Sequence, residues 1–462
     1  MTKATTAGRS TTALLAMLTL AGGCGSFGDD RDDAGSTSAG TTASAPAGME
    51  AHPSFLYGRI TTVDGDSYEG RIRFGGDEEA FWSEYFNGFK DGNPWVAQVP
   101  AGAVRGQGRA VRVFGFEIRF PGSGNAVRRE FMARFGDIAK LEARGRELRV
   151  TLRTGTVVDL DRYSADDFAD GVRVWDGRRG VVDLHEREVR SIEFLRSDGS
   201  GADAPYRLHG TVRTREGDFT GFLEWGREGS VALDQLDGHD AEGELVRLPF
   251  VTVRSIARLS PEGARVTLLD GSELVLSDSR DIGEGNRGVF VDDARYGRVL
   301  VSWNAFERVD LTPVGAAPGA GPAYDDFPMG GPLVGSVTTR TGRRLTGRLV
   351  YDLDESQIVE TLDAPSRGVT YTLPFGLVAS IRLDGDEAAA GRARVTLRSG
   401  ETLQLERSGD LGDRNAGILI FGDGDGRPAY VPWADVALIE FTGSPAVYPP
   451  VGGTRLRGGL GQ

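Results

Sequence analysis

Two loops in this 462-residue chain place oxygen-bearing side chains at the same spacing. Residues 279–288 read SRDIGEGNRG and residues 408–417 read SGDLGDRNAG. Asp281, Glu284 and Asn286 in the first loop match Asp410, Asp413 and Asn415 in the second. Alternating carboxylate and amide oxygens are the hard ligands that Ca²⁺ takes, but the EF-hand spacing and its closing bidentate Glu are absent. Asp and Asn ahead of Gly also hold turns by accepting hydrogen bonds from nearby backbone N–H groups. The loops therefore have two readings, a structural turn and a weak Ca²⁺ site, and the sequence calls for no other cofactor.

A second stretch stands out by its aromatics: GDEEAFWSEYFNGFKDGNPW, residues 76–95. Phe81, Tyr85 and Phe89 are spaced by four, Trp82 and Phe86 form an adjacent pair at the same spacing, and Trp95 follows. This period predicts a short helix with one broad aromatic face. Asp77, Glu78 and Glu79 would suit its N-terminus. Such a face either plugs a core or offers an exposed surface to a partner protein or a glycan, since aromatic side chains are favoured at interfaces. Downstream, Arg105, Arg109, Arg112, Arg119, Arg128 and Arg129 form a local basic cluster in an otherwise acidic chain. Charges alternating with Val and Phe are expected on the solvent face of an extra hairpin.

Other chemistry is poorly supported. The four histidines, His52, His185, His209 and His239, and the single cysteine, Cys24, form no HxxxH or CxxC arrangement that would hold zinc. GxSxG, HExxH and P-loop motifs are missing. With 67 acidic residues a chance carboxylate pair is expected, so a carboxylate-dependent hydrolase stands only as an alternative. The net charge of −14 repels a phosphate backbone, and no Lys/Arg stripe offsets it, so no nucleic-acid partner is expected.

The elements that must position these residues are repeats. Residues 56–74, 208–225 and 333–351 share a Gly, a β-rich run, a Gly turn and a second run ending in Phe74, Trp225 or Tyr351. A second pattern follows each time, opening at 148–160, 264–276 and 393–405 and closing at 181–194, 299–311 and 429–441. Between opening and closing lies the Asp/Asn loop, blurred to SADDFADG at 164–171 in the first copy. Alternating runs split by Gly turns are β-hairpin signatures. Each half holds about five short strands, near the usual strand length. The run AYVPWADVALIEF (429–441), a strand, a short turn and a closing strand, resembles the end of SH3-like and Sm-like small barrels. The resemblance is architectural and implies no function. A lone barrel of this size is marginal, so halves are expected to pack in pairs. The fold class expected is all-β: tandem small five-stranded barrel-like modules in three paired double modules, with one short aromatic helix in the first.

The N-terminus reads as an address. Lys3 and Arg9 precede a short apolar core, Thr11 to Leu20, and then LAGGC ending at Cys24. The core is too short to span a bilayer. The pattern resembles the lipobox of bacterial lipoproteins, although Ala21 stands where that pattern has Leu. The resemblance implies export, cleavage before Cys24, lipidation of Cys24 and a membrane anchor. The absence of Asp at Gly25 and Ser26 points to an outer-membrane or surface location. The expected organisation is a signal peptide at 1–23, a lipid-anchored flexible linker at 24–54 and double modules at 55–196, 206–311 and 333–443. A Gly/Pro-rich linker at 312–332 and a flexible tail at 444–462 complete it. The expected role is protein interaction or scaffolding in the cell envelope, with a glycan- or envelope-polymer-binding module as the alternative.

Overall fold

In the computed structural model the chain is all-β, built on three large antiparallel sheets of ten, twelve and eight strands. The structure describes residues 54–443 except 75–80, 82–84, 91, 101–109, 114–115, 120–128, 198–205, 227–228, 314–322, 328, 384–390 and 423–426. The expected signal peptide, Cys24, most of the linker that follows it, and the tail at 444–462 lie outside the described residues.

The first segment comprises β1 (Tyr57–Thr62), β2 (Ser67–Phe74), β3 (Tyr85–Lys90), β4 (Ala110–Val113), β5 (Phe116–Arg119), β6 (Arg129–Arg134), β7 (Ile138–Arg144), β8 (Glu147–Leu152), β9 (Val157–Asp161), β10 (Val172–Asp176), β11 (Gly180–Leu184) and β12 (Val189–Phe194). The second runs β13 (His209–Thr214), β14 (Gly217–Trp225), β15 (Gln235–His239), β16 (Leu245–Pro249), β17 (Val253–Arg258), β18 (Gly263–Leu268), β19 (Glu273–Ser277), β20 (Val289–Asp293), β21 (Gly297–Val301) and β22 (Phe306–Leu311). The third runs β23 (Val334–Thr339), β24 (Arg344–Val350), β25 (Thr361–Ser366), β26 (Val369–Pro374), β27 (Val378–Arg382), β28 (Arg392–Leu397), β29 (Thr402–Glu406), β30 (Ile418–Phe421), β31 (Ala429–Val431) and β32 (Val436–Thr442).

With the extra ribbon β4–β5 set aside, the first sheet runs β11-β10-β2-β1-β12-β7-β8-β9-β3-β6. The second segment repeats this order strand for strand, from β21-β20-β14-β13-β22 through β17-β18-β19-β15-β16. The third keeps it from β31 to β29, while its β25–β26 hairpin joins the second segment's sheet through β21. Consecutive five-strand units were expected, but the two halves of each segment are interleaved. The opening hairpin of the first half, such as β13–β14, is flanked by β20 and β22 of the second half. The opening hairpin of the second half, β18–β19, lies between β17 and β15 of the first. Hydrophobic alternation is the same for a strand paired within its own half or across to the other, so sequence period alone does not choose between them.

The recurring glycines fit this crossing. Gly58 lies opposite Gly70, Gly210 opposite Gly221 and Gly335 opposite Gly347. A Cβ at any of them would meet the carbonyl oxygen of an adjacent strand: Glu193, Trp175, Asp310, Asp292, Glu440 and Phe421 respectively. Only Gly lets the backbones approach this closely.

The repeated loop holds the interleaved halves together. Asp281 accepts a hydrogen bond from the Asp237 backbone N–H on β15 at 2.8 Å, and Asp410 accepts the equivalent bond from Asp363 on β25 at 2.7 Å. The carbonyl of each aspartate accepts from the aromatic that ends the second strand. Trp225 Nε1 donates to Asp281 at 3.0 Å and Tyr351 Oη to Asp410 at 2.8 Å. Asn286 and Asn415 donate to those same carbonyls at 2.7 and 2.9 Å, and their Oδ1 atoms accept from the N–H of Gly288 and Gly417. In the first segment Asp167, within the blurred loop, accepts from the Asn87 backbone N–H at 3.1 Å. Glu284 and Asp413 face solvent, and Asp413 only approaches Arg407 at 3.6 Å. Among the described residues no three His, Cys, Asp or Glu side chains converge to hold a metal.

This arrangement sets an order of effects. Asp410→Ala or Asn415→Ala leaves a buried partner unsatisfied and costs about 1–3 kcal/mol. Asp413→Ala changes stability by less than about 0.5 kcal/mol. Urea denaturation of the three variants checks this, and millimolar Ca²⁺ is expected to leave their midpoints in place.

A candidate functional site at a buried charged junction

The aromatic segment is a strand where a helix was expected. β3 pairs with β6 from Tyr85↔Arg134 to Lys90↔Arg129. Both faces of β3 are covered: Tyr85, Phe86 and Phe89 are all buried. A strand covered on both sides carries apolar residues without alternation, and here their spacing coincided with a helical period. Asn87 and Gly88 at its centre are weak helix formers.

Of the two readings of the aromatics, a plugged core and an open surface, Phe81, Tyr85, Phe86 and Phe89 follow the first. Phe86 packs edge-on against Phe74 and Phe135, and Phe81 packs edge-on against Phe194 and tilted against Tyr324. Tyr85 lies under the Arg298 guanidinium of the second segment. Trp95 is half-buried, edge-on to Phe421 at 5.8 Å and beneath Arg348. Trp82 lies outside the described residues.

β3 and β6 instead aim charged side chains at the third segment. The target is the connection between β24 and β25, residues 351–360, YDLDESQIVE. Asp352 and Leu353 adopt consecutive positive φ values of 50° and 54°, the signature of a type I′ turn, normally left to Gly and Asn. The second segment has Gly226, φ 64°, at the position of Asp352. Holding Leu in this region costs on the order of 1 kcal/mol. In return the turn buries Leu353 against Val350 and Leu419 and presents two carboxylates to the first segment.

Lys90 reaches into this turn. Its Nζ donates to Asp354 Oδ1 at 2.6 Å and Glu360 Oε1 at 2.7 Å. Arg129 Nη1 donates to Asp352 Oδ2 at 3.2 Å, and Asp352 Oδ1 also accepts from the Ala416 N–H. Glu360 Oε2 accepts from the backbone N–H groups of Ser356 and Gln357. Asn93 Nδ2 donates to the Leu353 carbonyl at 2.9 Å. Arg129, expected on a solvent face, is therefore a buried ion-pair partner, 2% exposed; its side chain replaces lost water with a carboxylate, as a buried charge requires.

Burial pulls the Lys90 ammonium down, but Asp354 and Glu360 outweigh it and hold the group above the ordinary lysine value. Burial pushes Asp354 up, with Lys90 and Arg129 pulling the other way. Glu355 is driven well above the usual carboxylate range by burial and then by Asp354, Asp410 and Asp352, and its Oε2 has no hydrogen-bond partner. Burial pushes Asp363, beside this cluster, up to about 6. The carboxylates of Asp352, Asp354 and Glu360 are already engaged by cations and N–H groups. The chemistry this suits is adhesion between two segments.

The stretch 312–332, expected as a linker, adds to the same contact. Tyr324–Asp326 forms a 3-10 turn, and Tyr324 Oη donates to the Ile138 carbonyl at 2.8 Å. Arg153 donates to the carbonyls of Tyr324 and Phe327, and the Phe327 ring fills the space where Gly136 lacks a Cβ. The sequence reading missed Lys90, Arg129 and the 352–360 acids. The available signal was that Lys90 and Arg129 are cations found at these positions in the first copy alone, while YDLDESQIVE carries four acids.

Two outcomes follow. Lys90→Met leaves Asp354 and Glu360 buried without their cation and costs about 3–5 kcal/mol; adding Asp354→Asn and Glu360→Gln recovers part of it, read from the denaturation midpoint. Asp363 has a raised folded pKa, so the folded chain binds its proton more tightly. That contribution is complete below about pH 4 and is lost as pH rises through about 6. Asp363→Asn should raise the melting temperature at pH 7.5 and flatten its change between pH 4 and 6.5.

No protein-family model matches the chain, and no curated protein matches it. A solved structure of a streptogramin B lyase aligns with 66% of this chain and 94% of its own, at 9% identity and a TM-score of 0.11. A likeness of that size carries neither fold nor activity to this chain.

Proposed function

We propose that the chain is an exported, lipid-anchored protein of a bacterial cell envelope that works as a protein-interaction or scaffolding module. Its segments are read as three double modules, each a pair of small five-stranded barrel-like units that exchange strands. Residues 1–24 supply the address, and Cys24 the lipid. The observation that carries the reading is an asymmetry between the segments. In the second and third segments a short turn joins the third and fourth strands, β15 to β16 and β25 to β26. In the first segment residues 91–128, with the ribbon β4–β5, occupy that turn. The strands beneath it are fastened to the third segment through Lys90 and Arg129. A unique insertion on an immobilised hairpin is the arrangement expected of a contact surface, because binding and recognition concentrate in loops held by a rigid scaffold. The working face is accordingly read as the insertion, which follows β3 and its buried aromatics in the chain.

Crosslinking in living cells followed by mass spectrometry tests this. The native chain should capture one envelope protein. A variant with residues 101–128 replaced by a Gly/Ser linker of equal length should lose it. Identical captures from both would remove the insertion as the contact, and a captured glycan would move the reading to polymer binding. Separately, Cys24→Ser should shift the chain from the membrane fraction to the soluble extracytoplasmic fraction.

A further inference from the structure

The second and third segments are joined by a sheet-edge contact that the first and second segments lack. β21 pairs antiparallel with β26, with Arg298 opposite Thr372, Val299 opposite Tyr371, Leu300 opposite Thr370 and Val301 opposite Val369. Phe219, Tyr296 and Tyr371 pack edge-on behind it at 5.4–5.9 Å. By position in the repeat, β11 is the first segment's counterpart of β21: β10–β11 pairs Val172 with Leu184 as β20–β21 pairs Val289 with Val301. By the same test β16 is the second segment's counterpart of β26. β15–β16 pairs Leu236 with Leu248, and β25–β26 pairs Leu362 with Leu373. Yet β11 ends the ten-strand sheet and β16 ends the twelve-strand sheet. Among the described residues, each has one paired edge and one open edge.

We infer that β11 of one copy pairs with β16 of a second copy, antiparallel and in the register of β21 with β26. This places Val181 opposite Arg247, Val182 opposite Val246 and Asp183 opposite Leu245. Both edges have the unfinished surface that such pairing would cover. Val181 is 56% exposed and Leu245 47% exposed. Val182 and Val246 are only partly buried, whereas their counterparts in the completed contact, Val299 and Tyr371, are 0% and 4% exposed. Asp183 would lie diagonally across from Arg247, within reach for an attractive cross-strand pair. An open strand edge is a template for another strand, and this chain already shows which strand fits. Because the two surfaces differ, the contact is heterologous and builds a ring or an open row of copies rather than a closed pair. A five-residue edge is small against the roughly 1,200 Å² of a stable interface, so association is weak in dilute solution and favoured where copies are crowded. The inference rests on strand register and stands whether or not the lipid anchor or the envelope partner is upheld.

Cysteine trapping tests it in the full chain. Cys24→Ser removes the single native thiol, and V181C with R247C places one thiol on each edge, both at exposed side chains. Directly opposed residues in an antiparallel pair have Cα atoms about 4.5–5.5 Å apart, within disulfide range. Mild oxidation at high protein concentration should give a ladder of dimer, trimer and higher species that reductant collapses. The control moves the first thiol to Val63, equally exposed at 56% but in a hairpin turn: V63C with R247C should stay largely monomeric. A monomer from the first variant, a disulfide closed within one chain, or the same ladder from the control would each overturn the pairing.

Discussion

The fold depends on a carboxylate of one half-segment accepting a backbone N–H from the other. Asp167, Asp281 and Asp410 each sit in the loop after the second half's opening hairpin, and each bonds the third strand of the first half. Without that bond the third strand would have little to fix it beside its neighbour. β15 meets β19 through the single pair His239↔Ser277, and β3 meets β9 through Lys90↔Leu160. A charge-assisted bond in a partly buried site is stronger than a neutral one, which suits a place where the sheet ladder is thin. In the second and third copies the aromatic end of the second strand and the loop Asn converge on the same carbonyl. One loop thus ties three strands, and its recurrence records a mechanical requirement of an interleaved fold.

Above this level the segments are fastened by different means. The second and third share a sheet and one continuous hydrophobic core. The first and third meet through Lys90, Arg129 and the strained turn at Asp352–Leu353. A buried ion pair is weak evidence for stability, since desolvation offsets most of its attraction. Its value lies in register: Lys90 satisfies both Asp354 and Glu360 in one arrangement, and sliding the segments would leave charges unpaired. Burial, and after it the charges of Asp354, Asp410 and Asp352, holds Glu355 well above the usual carboxylate range. Asp363, raised by burial, lies on β25 of the sheet that the second and third segments share, so pH acts on that contact.

The opening hairpins, their glycines and the aromatic residues that end them were legible in the sequence because they are local. Alternation, Gly turns and repeat spacing are written within a few residues of one another. The β3 segment was misread because its neighbours on both faces come from elsewhere in the chain, and double burial erased the alternation that marks a strand. The Asp/Asn loops were legible as turns, but their purpose was not, since the N–H groups they satisfy belong to strands far away in sequence. Arg129 looked like a surface charge and Lys90 went unremarked for the same reason: each is partnered by residues more than two hundred positions distant.

By itself the sequence determined an all-β chain with recurring hairpins and a distinctive first copy, because strand and turn formation respond to neighbours along the chain. Tertiary structure alone decided that halves would exchange strands, that the third segment's hairpin would complete the second's sheet, and that the aromatics would face inward. Those choices are pairings between distant segments, and a strand's own pattern is equally compatible with several partners. Backbone proximity at the paired glycines and the matching of buried charges select among them, and both exist only once the chain is folded.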